Sequence, residues 1–145
     1  MTETYVFDTE AIIAYLYSEP GHEVVAEYLT AVRDGDTEGL LAETNAAEVF
    51  YLVARFESVG DTPTDSSRRA ADRDLRALQR SGVDISRADW RAVGKIKAAG
   101  HISLADAHAV ALAVETDGTL LAGGDDDFDD LPVEVAVTRF RDAGV

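Results

Sequence analysis

The sequence contains no cysteine, three prolines and one methionine, and only two of its 13 basic residues, Lys95 and Lys97, are lysines. Without cysteine there is no disulfide framework, no thiolate metal site and no cysteine nucleophile. Long apolar runs are missing too. Val49–Ala54 and Ala109–Val114 are among the longest, far short of the roughly 20 residues a spanning helix needs. Residues 1–20 lack the basic start and long apolar stretch of a secretory signal. These absences point to a soluble, cytoplasmic protein with no membrane partner. A hydrophobic content of 46% excludes a disordered chain. At 145 residues it is long enough to bury a core without staples, as one domain over residues 1–145.

Positive charge is scarce. Thirteen basic residues face 28 acidic ones, for a net charge of −15. In dilute solution that balance speaks against a nucleic-acid partner, because phosphates attract Lys and Arg and repel carboxylates. At molar salt the Debye length falls to about 3 Å and surface carboxylates stop repelling at range. Few lysines and many alanines fit a halophile-like cytoplasm, where such a surface serves solubility. The net charge therefore does not decide the substrate.

The apolar pattern alternates short strands with helices. Tyr5–Phe7 reads as a strand ending at Asp8, with Asp8 or Thr9 capping a helix that carries Ile12, Ile13, Leu16 and Tyr17. Pro20-Gly21 breaks it, and Val24, Val25, Tyr28, Leu29 and Val32 form a second helix. Leu40–Ala42 is a strand, and Thr44 or Asn45 caps a third helix. A charged helix runs from about Ser66 to Arg80, and Val83 and Ile85 mark another strand. Ala88–Trp90 opens a fifth helix, Ser103 caps an alanine-rich helix Leu104–Glu115, and Leu120–Ala122 is a strand. Val133, Val135 and Val137 alternate as the last strand. The order predicts an α/β domain: a central, mainly parallel sheet of four to five short strands between helical layers.

In open sheets of this kind the functional crevice lies at the carboxyl ends of the strands. Asp8 and Asp125 follow the two apolar runs expected at the centre of the sheet. Two more acids fall on apolar helix sides. Glu48 has Tyr51, Leu52 and Arg55 at i+3, i+4 and i+7, and Asp106 has Ala109, Val110 and Ala113. Each has a plain structural reading: helix capping for Asp8, an ion pair with Arg55 for Glu48, and a dipole-favoured acid three residues after the Ser103 cap for Asp106. His108 reads as structural, and His22 and His101 as surface. Four such acids together point to a site. Clustered carboxylates repel unless a cation neutralises them, and oxygen-only ligands suit Mg²⁺ or Mn²⁺. Such ions can activate a water for attack on a phosphodiester.

Four segments carry a family resemblance: Val6-Phe7-Asp8-Thr9, Asn45-Ala46-Ala47-Glu48-Val49, Leu104-Ala105-Asp106-Ala107 and Gly123-Gly124-Asp125-Asp126-Asp127-Phe128. In order and spacing the chain resembles the PIN-domain nucleases, in particular the VapC-like ribonuclease toxins of toxin–antitoxin pairs. Gly123 departs from the pattern, standing where the family usually has Thr or Ser. The resemblance implies a three-layer α/β/α fold and a metal-dependent endoribonuclease. Asp8, Glu48, Asp106 and Asp125 would be its catalytic metal ligands, Asp127 an auxiliary ligand, and Thr9 and Asn45 supports. It also implies Mg²⁺ or Mn²⁺ as cofactor, an RNA substrate, a small antitoxin partner and a homodimer. Asp126, Asp129 and Asp130 read as solvated surface. The arginines at 68, 69, 73, 76 and 80 read as a solvated face or a contact for phosphate or antitoxin. A PIN nuclease of RNA processing or quality control is the alternative, and a catalytically inactive, salt-adapted binding module is another of a different class. A haloacid-dehalogenase-type enzyme would need Asp-x-Asp-x-Thr where the chain has Asp8-Thr-Glu10. A receiver domain would need a lysine after a late strand.

Overall fold

The apolar runs that do not alternate are the clue to the layering. Strands buried on both faces read as continuous apolar stretches, because successive side chains enter opposite cores. The computed structural model, which describes residues 2–142, shows this. Val6, Ala42 and Leu120 enter one core, while their neighbours Phe7, Leu41 and Leu121 enter the other.

Five strands form one parallel sheet: β1 (Thr4–Phe7), β2 (Glu38–Ala42), β3 (Val83–Ser86), β4 (Thr119–Ala122) and β5 (Ala136–Arg139). Their spatial order is β3-β2-β1-β4-β5. Helices α1 (Thr9–Tyr17), α2 (His22–Arg33), α3 (Glu43–Phe56) and α4 (Asp65–Arg80) supply the core that holds Phe7, Ile12, Val25, Val49 and Leu75. Helices α5 (Trp90–Ala99) and α6 (Leu104–Glu115) supply the other, around Val93, Ile96, Val110 and Leu112. Alanines at 105, 107, 109, 111 and 113 leave α6 buried almost all round. That explains why it shows no polar face to read in sequence. The expected three-layer α/β/α architecture is present, with five strands.

Some boundaries differ from the sequence expectation. The last strand is β5 (Ala136–Arg139) and does not include Val133 or Val135. Those valines are half-buried against the α5–α6 core without joining the ladder. Helix α3 starts at Glu43, straight out of β2, with Ala42 at its N-cap and no side-chain cap. Thr44 and Asn45 therefore lie inside its first turn. Helix α4 starts earlier than Ser66, because Thr64 and Ser67 form a reciprocal capping box. Strand β2 also reaches back to Glu38. No helix among the described residues is long and apolar enough to cross a membrane.

Candidate metal centre

The sheet order sets the position of the site. From β1 the chain steps outward through β2 to β3, then returns to the other side of β1 with β4 and β5. The direction therefore reverses between β1 and β4, and their carboxyl ends open a crevice there. In register, Phe7 lies beside Leu121. The next residue, Asp8, donates its backbone N–H to the carbonyl of Leu121 at 3.2 Å.

Asp8 is 1% exposed and caps α1, its Oδ1 accepting from the N–H of Ala11 at 2.6 Å. Burial pushes its carboxyl well above the ordinary range. The N–H groups of Ala11 and Gly123 oppose that rise, and the charges of Glu10 and Asp106 add to it. Asp106 sits in the first turn of α6, where Ser103 accepts its N–H at 3.1 Å. Its carboxyl is pushed up from 3.8 to about 7, first by burial, then by a shared hydrogen bond with Asp127 and the charges of Asp127 and Asp125.

Asp125 follows β4 and caps the short 3₁₀ turn Asp126–Phe128, accepting the N–H of Asp127 at 2.9 Å. Asp127 in turn accepts the N–H of Ser103 at 3.3 Å, which ties this loop to the start of α6. Asp106, Asp125 and Asp127 each present a carboxylate oxygen within 4.8 Å of the others. Such a set is what a hard divalent cation takes. The raised Asp106 carboxyl reflects burial beside two other carboxylates.

Glu48 is half-buried on α3 and lines the same cleft of about 330 Å³ as Asp8, Thr9, Asp106, Asp125 and Asp127. The ion pair with Arg55 that a plain structural reading would give Glu48 does not form. The Arg55 guanidinium lies 4.7 Å over the Tyr51 ring instead. Asp8 and Glu48 stand outside the tight group of three acids. Asn45 is fully buried behind the cleft and donates from Nδ2 to Thr9 Oγ1 at 3.0 Å, joining the first turns of α1 and α3. Six of the seven residues singled out in sequence thus face one cleft, and the seventh holds one of the six.

This fold has a match in sequence as well. The model of the PIN domain family covers residues 5–134. The chain belongs to the PIN-domain family. Solved structures resemble it along nearly their full length. VapBC2 from Rickettsia felis, crystallised bound to a DNA fragment from its promoter, has a TM-score of 0.70 at 13% identity, covering 94% of this chain and 98% of that one. FitAcB from Neisseria gonorrhoeae gives 0.64 at 18% identity, with 94% and 97% covered. A toxin–antitoxin complex from Klebsiella pneumoniae gives 0.59 at 16% identity, with 95% and 98% covered. No curated protein matches the chain in sequence.

The PIN site also contains residues that the sequence did not single out. Glu10 lines the cleft beside the aspartates. Its carboxylate occupies the space in front of Gly123, where any Cβ would collide with it. Gly123 thus faces the end of the Glu10 side chain from α1, which would have to move for any side chain placed there. Arg141 pairs with Glu10, and Arg139 binds the loop that bears Asp125 and Asp127. Nothing in the sequence marked them, since Arg68 and Arg69, Arg73 and Arg76, and Lys95 and Lys97 are spaced as closely. Asp126, Asp129 and Asp130 are exposed, as expected, with Asp129 paired to Arg139 at 2.8 Å. His108 is half-buried, its Nδ1 at 2.8 Å from the carbonyl of Leu104, and His101 is exposed. His22 is half-buried beside Glu23 rather than fully on the surface.

Proposed function

We propose that this PIN domain, taking residues 1–145 as one unit, is a metal-dependent endoribonuclease and the toxin of a toxin–antitoxin pair. The observation that carries the reading is the group of Asp106, Asp125 and Asp127, with oxygens within 4.8 Å, at the β1–β4 reversal where Asp8 and Glu48 also converge. When bound, Mg²⁺ or Mn²⁺ supplies the charge that neutralises these carboxylates and meets the phosphate. Asp106, Asp125 and Asp127 hold the cation, with Asp8 and Glu48 completing the set. Asp8 stays fixed because its other oxygen work is the α1 cap. Asn45 fixes the Thr9 hydroxyl at the edge of the cleft. Unneutralised, the acid-lined cleft repels RNA phosphates, and a cation held by these residues would remove that repulsion.

The toxin assignment rests on likeness of fold to chains crystallised as toxin–antitoxin assemblies. A small antitoxin with a basic residue would find the carboxylates of the cleft ready to pair. The same reading takes the protein as a cytoplasmic homodimer and its −15 charge as adaptation to a salty cytoplasm.

The test is cleavage of a defined RNA at molar KCl. Wild-type protein is expected to cleave with Mg²⁺ or Mn²⁺ and to stop in EDTA, and Asp8→Asn and Asp106→Asn to lose cleavage while still folding. Full activity of either variant with Mn²⁺ removes that residue from the site. Equal RNA breakdown in EDTA removes the metal from the mechanism.

A further inference from the structure

Two arginines separated by one residue reach back to the acidic site from the end of β5. Arg139 Nη1 donates to the carbonyls of Gly123 and Asp125, both at 2.6 Å, and Nη2 binds the Asp129 carboxylate at 2.8 Å. All three acceptors belong to the loop that carries Asp125 and Asp127. The guanidinium also lies 5.9 Å from the centre of the Phe128 ring, and Phe128 anchors that loop in the core.

Arg141 turns to the other wall. It pairs with Glu10, donates to the carbonyl of Pro20 at 3.2 Å and lies 3.7 Å from the Glu19 carboxylate. Its side chain is 11% exposed and that of Glu10 30%, so this is no loose surface pair. Between the two arginines, Phe140 is buried, and its N–H donates to the carbonyl of Ala122 at 2.9 Å. That bond fixes where both guanidiniums start. Glu10 lies two residues past Asp8, and its carboxylate fills the space at Gly123. Each arginine therefore grips a segment that supplies a carboxylate of the centre. Both lie beyond residue 134, where the family match ends.

We propose that Arg139 and Arg141 form a positioning clamp for the metal centre. Arg139 holds the 123–129 loop so that Asp125 and Asp127 face Asp106. Arg141 holds the Glu10 carboxylate against Gly123, beside the segment that carries Asp8. This rests on the metal-site reading above. A planar guanidinium can bridge two carbonyls and a carboxylate at once, and the compact ammonium of lysine cannot. A clamp that served the fold alone would affect stability without affecting the cation.

The experiment uses the full chain at molar KCl and Mn²⁺ alone as probe, titrated by calorimetry. Hydrogen exchange of the segment 123–130 is followed without metal. Arg139→Met is expected to raise the Mn²⁺ dissociation constant about tenfold, as loss of a partner that orients metal ligands does, and to speed exchange in that segment. Arg139→Lys, the variant to use if Arg139→Met does not fold, is expected to show an intermediate loss. Leu78→Ala, remote in α4, is expected to lower the melting temperature and leave Mn²⁺ affinity unchanged. Wild-type affinity and unchanged exchange in either Arg139 variant would overturn the clamp alone, as would an equal loss of affinity in Leu78→Ala. Absence of Mn²⁺ binding by the wild-type chain would overturn the metal-site reading and the clamp with it.

Discussion

Asp106→Asn turns the crowding of carboxylates into a measurable stability. In the metal-free protein the Asp106 carboxyl is raised from 3.8 to about 7. The folded state therefore keeps a proton between about pH 4 and 7 that the unfolded chain has lost. The sign follows from linkage: metal-free stability falls as pH rises through that window and levels off above it. A displacement of about three pH units corresponds to about 4 kcal/mol at 1.36 kcal/mol per unit. Asp106 remains partly open to solvent, and screening reduces this to about 1–2 kcal/mol. Asparagine has nearly the same shape and carries no charge beside Asp125 and Asp127. The variant should thus be more stable than wild type by about 1–2 kcal/mol at pH 8, a rise of roughly 3–6 °C in Tm for a chain of this size. At pH 4 the two should melt together. Mg²⁺ should reverse the order at pH 8, raising the wild-type Tm with little effect on the variant. The assay is thermal unfolding followed by circular dichroism at molar KCl, with EDTA and then with Mg²⁺. A variant no more stable than wild type at pH 8, or a gap that does not change with pH, would refute the electrostatic reasoning.

Two further outcomes are expected. Gly123→Ala should lower Tm slightly, because the new methyl pushes the Glu10 carboxylate off its pairing with Arg141. The double variant Glu10→Ala/Gly123→Ala should recover part of that loss, and strict additivity in the cycle would show that the two positions do not meet. Transfer from molar KCl to dilute buffer should unfold part of the population, since a net charge of −15 then repels unscreened. Unchanged stability in dilute buffer would end the salt-adaptation reading.

Much of the fold was legible because this chain obeys local rules. Ser103 before an alanine-rich run defined α6 to the residue, and Tyr5–Phe7 before Asp8 defined the central strand. Errors arose where tertiary contacts outweigh local signals. Thr44 and Asn45 have the chemistry of caps, yet Asn45 is drawn inside α3 and buried to hold Thr9. Val133, Val135 and Val137 alternate like a strand, but the sheet pairs only from Ala136, where the chain comes alongside Thr119. The acids of the site could be read from strand ends and apolar helix faces. Glu10 could not, because its role depends on an absent side chain at Gly123, 113 positions away. Arg139 acts through the carbonyls of Gly123 and Asp125, and backbone acceptors leave no mark in sequence.

The reversal between β1 and β4 has a consequence for when the chemistry can first exist. Asp8 and Asp125 are 117 positions apart in sequence and meet only where two parallel strands pair. Closing so long a loop is among the slower steps a small domain takes. A chain that has folded only its α1–α4 half holds Asp8 and Glu48 but none of the three crowded aspartates. On the proposed reading, a molecule in which β4 has not yet docked lacks the carboxylates that cleavage needs.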